Sequence, residues 1–255
     1  TAAYRLGWTV LLLLPVVLLR CRAELRRVTA RDLVLCGASG VLLALHFLTW
    51  FESLKRTSVA SSTVLVSTEV IFTAMGFALF LHGKIPRLGV WAILLAFGGS
   101  ALLALSGGGG AGELSGNLLA LATASAAAVY TLIGRIQRGH LSTTVYTFLT
   151  YLACFLTLLL GTAAAGTPLT GYGGREWLIG LALAVLCTLL GHSLFSWCLK
   201  YLSPSYVSAA KLCEPVFSSL AAIPLFGEVP GPLQLAGGAA VLGAVLLYTW
   251  AEREK

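Results

Sequence analysis

Apolar residues along the chain gather into long runs separated by short polar connectors. Nine such runs occur, at about 2–19, 33–51, 57–81, 88–105, 114–134, 141–165, 177–199, 201–226 and 232–250. A helix rising about 1.5 Å per residue needs roughly 20 apolar residues to cross the hydrocarbon of a bilayer. Helices are the expected form, because a lone strand in lipid leaves its backbone groups unpaired. The pattern therefore predicts an all-α polytopic membrane helix bundle with nine spans. Breakers punctuate it at Gly107 to Gly110, at Thr167-Pro168 and Gly173-Gly174, and at Pro230-Gly231-Pro232.

Composition agrees. Hydrophobic residues make up 58% and charged residues 11%, against about 25% charged in soluble domains. The net charge of +7 is not gathered into a basic, aromatic-laced stretch of the kind that binds nucleic acid. It is explained better by placement. Arg20, Arg22, Arg26, Arg27, Arg31, Lys84, Arg87, Arg135, Arg138, Lys200, Arg253 and Lys255 fall in alternate connectors on one side. Arg5, Lys55, Arg56 and Arg175 fall on the other, and Lys211 sits inside a span. Cytoplasmic loops are enriched in Lys and Arg, which predicts a multi-pass plasma-membrane protein with a cytoplasmic C-terminus; the Lys55-Arg56 pair runs against the rule. The six cysteines contain no CxxC pair and mostly sit in apolar runs, so they read as packing residues and not as disulfides or a zinc site.

The two halves resemble each other. Shifted by 145 residues, Leu54-Lys55 falls on Leu199-Lys200, Ser58 on Ser203, Glu69 on Glu214 and Phe72 on Phe217. Small slips bring His46 onto His192, Gly83 onto Gly227 and Gly99 onto Gly243. A repeat with an odd number of spans inserts its copies in opposite orientation, so this one is expected to be inverted. The offset implies residues 1–106 and 113–251 as the two repeats, in a ten-span, five-plus-five arrangement of which this chain would lack the first helix.

The residues that carry the repeat also carry a family resemblance. The stretch Leu45-His46-Phe47-Leu48-Thr49-Trp50, with Thr57 to Ser62 and Ser67-Thr68-Glu69, is matched by Gly191-His192 to Trp197. Leu199 to Pro204, Glu214-Pro215-Val216-Phe217 and Phe226-Gly227-Glu228 complete the second copy. With these the chain resembles the EamA-type branch of the drug/metabolite transporter superfamily. It departs from the family pattern at Gly83-Lys84, where Gly-Glu is usual, and at Val70, opposite Pro215. The resemblance implies two inverted five-helix repeats, a first helix that lines the substrate cavity, and export of a small organic molecule such as an amino acid.

Few polar groups interrupt the spans, and those are the candidates for chemistry. Glu69 stands in the third run with no other charge between Thr57 and Leu81, where an ionised group costs about 2.5 to 3.5 kcal/mol on the insertion scale. It reads either as a cation- or proton-binding carboxylate or as a structural hydrogen-bonding group. Lys211 and Glu214, three residues apart on one helical face, suggest an internal ion pair or a coupling contact. Pro215 cannot donate to the Lys211 carbonyl and is a candidate helix break. His46 and His192 are candidate proton relays or interhelical hydrogen-bonding groups. Trp50, Trp197, Tyr130 and Tyr146 are candidate cavity walls or interfacial belt residues. Small residues such as Ser61, Ser208 and Ala209 permit close helix packing, while His82 and His140 fall in connectors and are expected to be solvated.

Hydrolase, metalloprotease, P-loop and dinucleotide motifs are absent, which argues against an enzyme and against a cofactor or metal. The expected partners are a small-molecule substrate and membrane lipid, with a homodimer left open. A lipid-modifying membrane enzyme and a non-transporting structural membrane protein are the alternatives.

Overall fold

The computed structural model describes residues 2–57, 59–105, 114–166, 171, 173–214, 216–217, 220, 223–224 and 231–253. Helix α1 covers Ala2–Arg20, α2 Arg22–Leu25, α3 Ala30–Leu54, α4 Val59–Ser67, α5 Glu69–Phe80, α6 Arg87–Leu105, α7 Leu114–Gln137 and α8 Thr143–Ala164. Next come α9 (Gly174–Leu183), a π-helical segment (Ala184–His192), α10 (Ser193–Cys198), α11 (Pro204–Lys211) and α12 (Pro232–Arg253). No strand occurs among the described residues. Among the described residues six helical stretches are long and apolar enough to cross a membrane: Ala2–Arg20, Ala30–Leu54, Ser62–Phe80, Leu114–Gln137, Thr143–Ala164 and Gly174–Cys198. Leu11, Leu12, Leu18 and Leu19 of α1 turn outward, as lipid-facing side chains do. The protein is a multi-pass membrane helix bundle.

Local chemistry sets the helix starts. Thr29 and Asp32 form a capping box: the Thr29 backbone N–H and hydroxyl donate to Asp32 Oδ2 at 3.0 and 2.8 Å, and the Asp32 N–H donates to Thr29 Oγ1. Ser142 caps α8 by accepting from the Val145 N–H. Ser203 caps α11 in the same way through Tyr206, with Pro204 in the first turn, where its missing N–H costs nothing.

The chain divides into two compact units, residues 1–47 with 129–202 and residues 48–128 with 203–255. The first has a core of Leu6, Val10 and Val17 from α1, Leu43, Ala44 and Phe47 from α3, and Tyr151, Cys154 and Leu158 from α8. Gly40 permits this packing, because a Cβ there would lie 2.4 Å from the Thr150 carbonyl oxygen and 2.6 Å from Ala153 Cβ. The second unit packs Val70 and Ala74 of α5, Ala92, Ile93 and Ala96 of α6, Ala209 of α11, and Val241, Ala244 and Tyr248 of α12. Gly99 lets α6 approach α12 closely, since a Cβ at this position would lie 2.8 Å from the Gly237 carbonyl oxygen. These are the small-residue contacts that hold helices together in lipid, where apolar burial gives little net drive.

The connectors carry a second set of ties in the first unit. Arg138 is buried, 2% exposed, and its guanidinium donates to the Ser196 and Leu141 carbonyls. Burial pulls its pKa below the usual range, opposed by the nearby Tyr201 and Glu24. Arg135 reaches the Leu199 and Lys200 carbonyls just past the end of α10, so it answers the negative end of that helix. His140, expected to be solvated, is half exposed yet holds Asp32 Oδ1 at 2.8 Å; His82 is exposed as expected, in a turn with φ of 49°. All six cysteines are free.

Candidate functional site

In the second unit, the third apolar run is not one helix but two. Ser67 Oγ donates back to the Thr63 carbonyl at 2.8 Å and Thr68 Oγ1 to the Leu65 carbonyl at 2.5 Å. Hydroxyls that bond to the preceding turn compete with the helical ladder and bend it. The chain turns at Thr68, and α5 begins at Glu69. The carboxylate thus lies in the first turn of α5, where the helix dipole favours negative charge.

The other half breaks in the corresponding place. Helix α11 ends at Lys211, and the next two N–H groups close on carbonyls only three residues back, Leu212 on Ala209 and Cys213 on Ala210, both at 3.1 Å. Lys211 therefore occupies the last turn, where the negative end of the helix dipole favours a cation. By the 145-residue offset, Thr68 corresponds to Cys213, so the two turns are repeat-equivalent.

The structure brings these two helix ends together. Lys211 Nζ donates to Glu69 Oε1 at 2.7 Å, with 18% and 12% of the respective side chains exposed. Ser208, one turn before Lys211, donates to the same Glu69 oxygen at 3.3 Å and approaches the buried Thr73 hydroxyl at 3.2 Å. Among the described residues the short ion pair of Lys211 is with Glu69, a partner the spacing does not reveal, while Glu214 keeps an electrostatic interaction with Lys211. The spacing argument places Glu214 against Lys211 from three residues on; the helix tightens between them at Leu212 and Cys213, and the short contact goes to Glu69 instead. Pro215 lies outside the described residues. Ser208 and Thr73 complete the cluster, and the sequence marks Ser208 only as a packing residue.

The remaining candidates scatter. In the first unit His46 and His192 both meet the ring of Phe47 edge-on, with centroids 5.4 and 6.0 Å away. Tyr130 and Tyr146 are buried in the bundle, hydrogen-bonded to Ser196 at 3.3 Å and Ser39 at 2.8 Å. Trp197 is 48% exposed and tilts against Tyr201, which suits an interfacial position better than a cavity wall. Trp50 stacks on Phe51 in the second unit. Among the described residues no group of three His, Cys, Asp or Glu side chains converges as a metal site.

A family model described as the EamA-like transporter family matches residues 1–105 and 114–250. The chain belongs to this family. EamA-like relatives include the pseudopaline exporter of Pseudomonas aeruginosa, 23% identical over 207 residues, covering 81% of this chain and 72% of that protein. A probable terminal-alkyne amino-acid exporter of Streptantibioticus cattleyicolor is 27% identical over 233 residues, covering 87% and 75%. An uncharacterised Pseudomonas aeruginosa protein reaches 34% over 183 residues, covering 70% and 62%. One solved crystal structure superposes with a TM-score of 0.78 at 19% identity, covering all of this chain and 88% of its own, which shows the shared fold.

Proposed function

We propose that this EamA-like transporter is a secondary transporter that exports a small organic metabolite, an amino acid or related compound, across the plasma membrane by alternating access. The observation that carries the reading is the 2.7 Å ion pair of Glu69 and Lys211, made where two helices break. Discontinuous helices meeting near the midplane, with charges at their free ends, are how many secondary transporters build a binding and coupling site. Charged groups inside a membrane bundle are costly and tend to be kept for transport. The names of two relatives, a pseudopaline exporter and a probable terminal-alkyne amino-acid exporter, support the direction, and the second supports the substrate class.

In this reading the repeats are residues 1–106 and 113–251, inverted, with nine spans in this chain and a cytoplasmic C-terminus. The ion pair holds one access state. A proton on Glu69 or a substrate ammonium drawn to its carboxylate weakens the Lys211 contact, and the loss biases the two half-helices toward the other state. Only a differential interaction of this kind can shift such an equilibrium.

The test is efflux of radiolabelled amino acids from proteoliposomes holding the wild-type protein, Glu69→Gln or Glu214→Gln, each verified as monodisperse. The expectation is at least a tenfold loss of flux for Glu69→Gln and a smaller loss for Glu214→Gln. Wild-type flux in Glu69→Gln would reduce the pair to a packing role.

A further inference from the structure

A second cation lies within a span, and the coupling reading leaves it unused. Arg5, in the first turns of α1, donates from Nε to Thr188 Oγ1 at 2.6 Å, and its Cζ stands 5.0 Å above the Phe47 ring. Among the described residues it forms no ion pair. An arginine carries five N–H donors in a planar fork, so among the described residues one hydrogen bond to a neutral hydroxyl and a contact with the Phe47 ring leave most of that capacity, and the need for a counter-ion, unmet. The residue is half-buried. A half-buried guanidinium in an apolar helix without a carboxylate is expensive, and the need is for an anion.

The surroundings are arranged around this group. Thr188 is 1% exposed and lies in the middle of the π-helical segment Ala184–His192. There the Ser193 backbone N–H and hydroxyl both turn to the Thr188 carbonyl, the latter at 3.2 Å. Tyr151, fully buried, meets the Ser193 hydroxyl at 3.2 Å. A π-helical turn inside a helix displaces side chains from the usual register and recurs at functional sites; here it aims Thr188 at Arg5. The Phe47 ring under the guanidinium is the same ring that both His46 and His192 meet. One fork of donors, an aromatic floor and two imidazoles fit a small molecule with a carboxylate and an adjoining polar group.

From this geometry we infer that Arg5, steadied by Thr188 and Phe47, is the subsite that binds the carboxylate of the transported molecule. The inference rests on the export reading for its ligand, but not on the Glu69–Lys211 pair. Arginine pairs with a carboxylate through two parallel hydrogen bonds, which a carboxamide cannot reproduce.

The experiment uses L-leucine, L-phenylalanine and L-threonine and the carboxamide of each, with the full chain as wild type, Arg5→Gln, Arg5→Lys and Thr188→Val. Thermal stabilisation in detergent reads binding, and efflux from proteoliposomes reads transport. The wild type is expected to prefer at least one acid over its amide by tenfold or more. Arg5→Gln should raise KM for that acid at least tenfold with kcat little changed, since uniform binding is lost, and should erase the acid preference. Arg5→Lys should keep part of it, and Thr188→Val should fall between. If Arg5→Gln does not fold, Arg5→Lys and Thr188→Val carry the comparison.

An acid preference that survives in Arg5→Gln overturns the subsite, as does a wild type that binds acids and amides alike. A phospholipid that co-purifies with the wild type and is lost in Arg5→Gln, with no change toward the acids, overturns it in favour of a lipid phosphate. Binding with the expected preference but no efflux would support the subsite and sink the export reading, whereas efflux without acid preference would do the reverse.

Discussion

Glu69→Gln deletes one charge from the ion pair of the second unit, and its effect on stability can be worked out in advance. Removing one partner of a buried ion pair costs about 3–5 kcal/mol when the other is left charged and dry. The pair here keeps 18% and 12% of its side-chain surface, and Gln can still accept from Ser208 at the position where Glu69 does now. A loss of about 2–3 kcal/mol is therefore expected, bounded by the ability of Lys211 to lose its proton instead. Part of that loss is not the pair at all. A carboxylate in the first turn of a helix is worth about 0.3–1 kcal/mol through the macrodipole alone, and this portion does not depend on Lys211. A double-mutant cycle separates the two: wild type, Glu69→Gln, Lys211→Met and the double variant, unfolded in detergent under conditions where the transition is reversible. The coupling should fall at the upper part of the usual range of about 0.5–3 kcal/mol for residues in contact, with the double variant more stable than the sum of the singles predicts. Strictly additive singles would refute the reasoning, because they would mean that neither charge depends on the other for its accommodation.

Two further outcomes bear on packing and topology. Gly40→Ala should lower thermal stability and expression markedly, since the new methyl would meet the Thr150 carbonyl, whereas Gly37→Ala, with nothing within 4 Å of its Cβ position, should be neutral; thermal shift of the two purified variants checks this. A tag on the Glu252 to Lys255 tail should be cleaved by protease in inside-out vesicles and protected in intact spheroplasts, and the opposite pattern would reverse the proposed orientation.

Much of the bundle is legible in the sequence because lipid imposes a simple rule. A run of apolar residues has one stable backbone form there, so α1, α3, α7 and α8 follow from run length alone. The breaks inside the runs are less visible. The third run shows no Gly or Pro near Thr68, and the turn there arises from hydroxyls bonding to carbonyls one turn back. That signal, Thr63 with Ser67 and Thr68, is present, but serine and threonine in membrane helices often do the same without ending the helix. In the second copy Pro215 draws attention to the right neighbourhood, while the turn begins before it, at Leu212 and Cys213.

Lys211 shows how a site found from sequence can hold a partner that spacing does not reveal. Spacing rules such as i to i+3 weaken where a helix tightens, so Glu214 keeps an electrostatic interaction with Lys211 but the short contact lies elsewhere. The end of the α11 dipole already favours Lys211 there, and the short contact comes from a helix start with the opposite need. Glu69, at the start of α5, has that need. The repeat alignment pairs Glu69 with Glu214 as equivalent residues, which obscures that the ion pair joins one copy's carboxylate to a lysine absent from the other, where Leu65 to Ser67 offer no cation. Arg5 is misplaced by the sequence for a related reason. It counts as a connector charge because it lies near the start of a run, yet it faces inward because the π-helical segment presents Thr188 at its level, and no residue pattern announces a π-helical turn. In both cases the chemistry that costs most in lipid, an unpaired charge, locates the residues, and the geometry of interrupted helices decides what they meet.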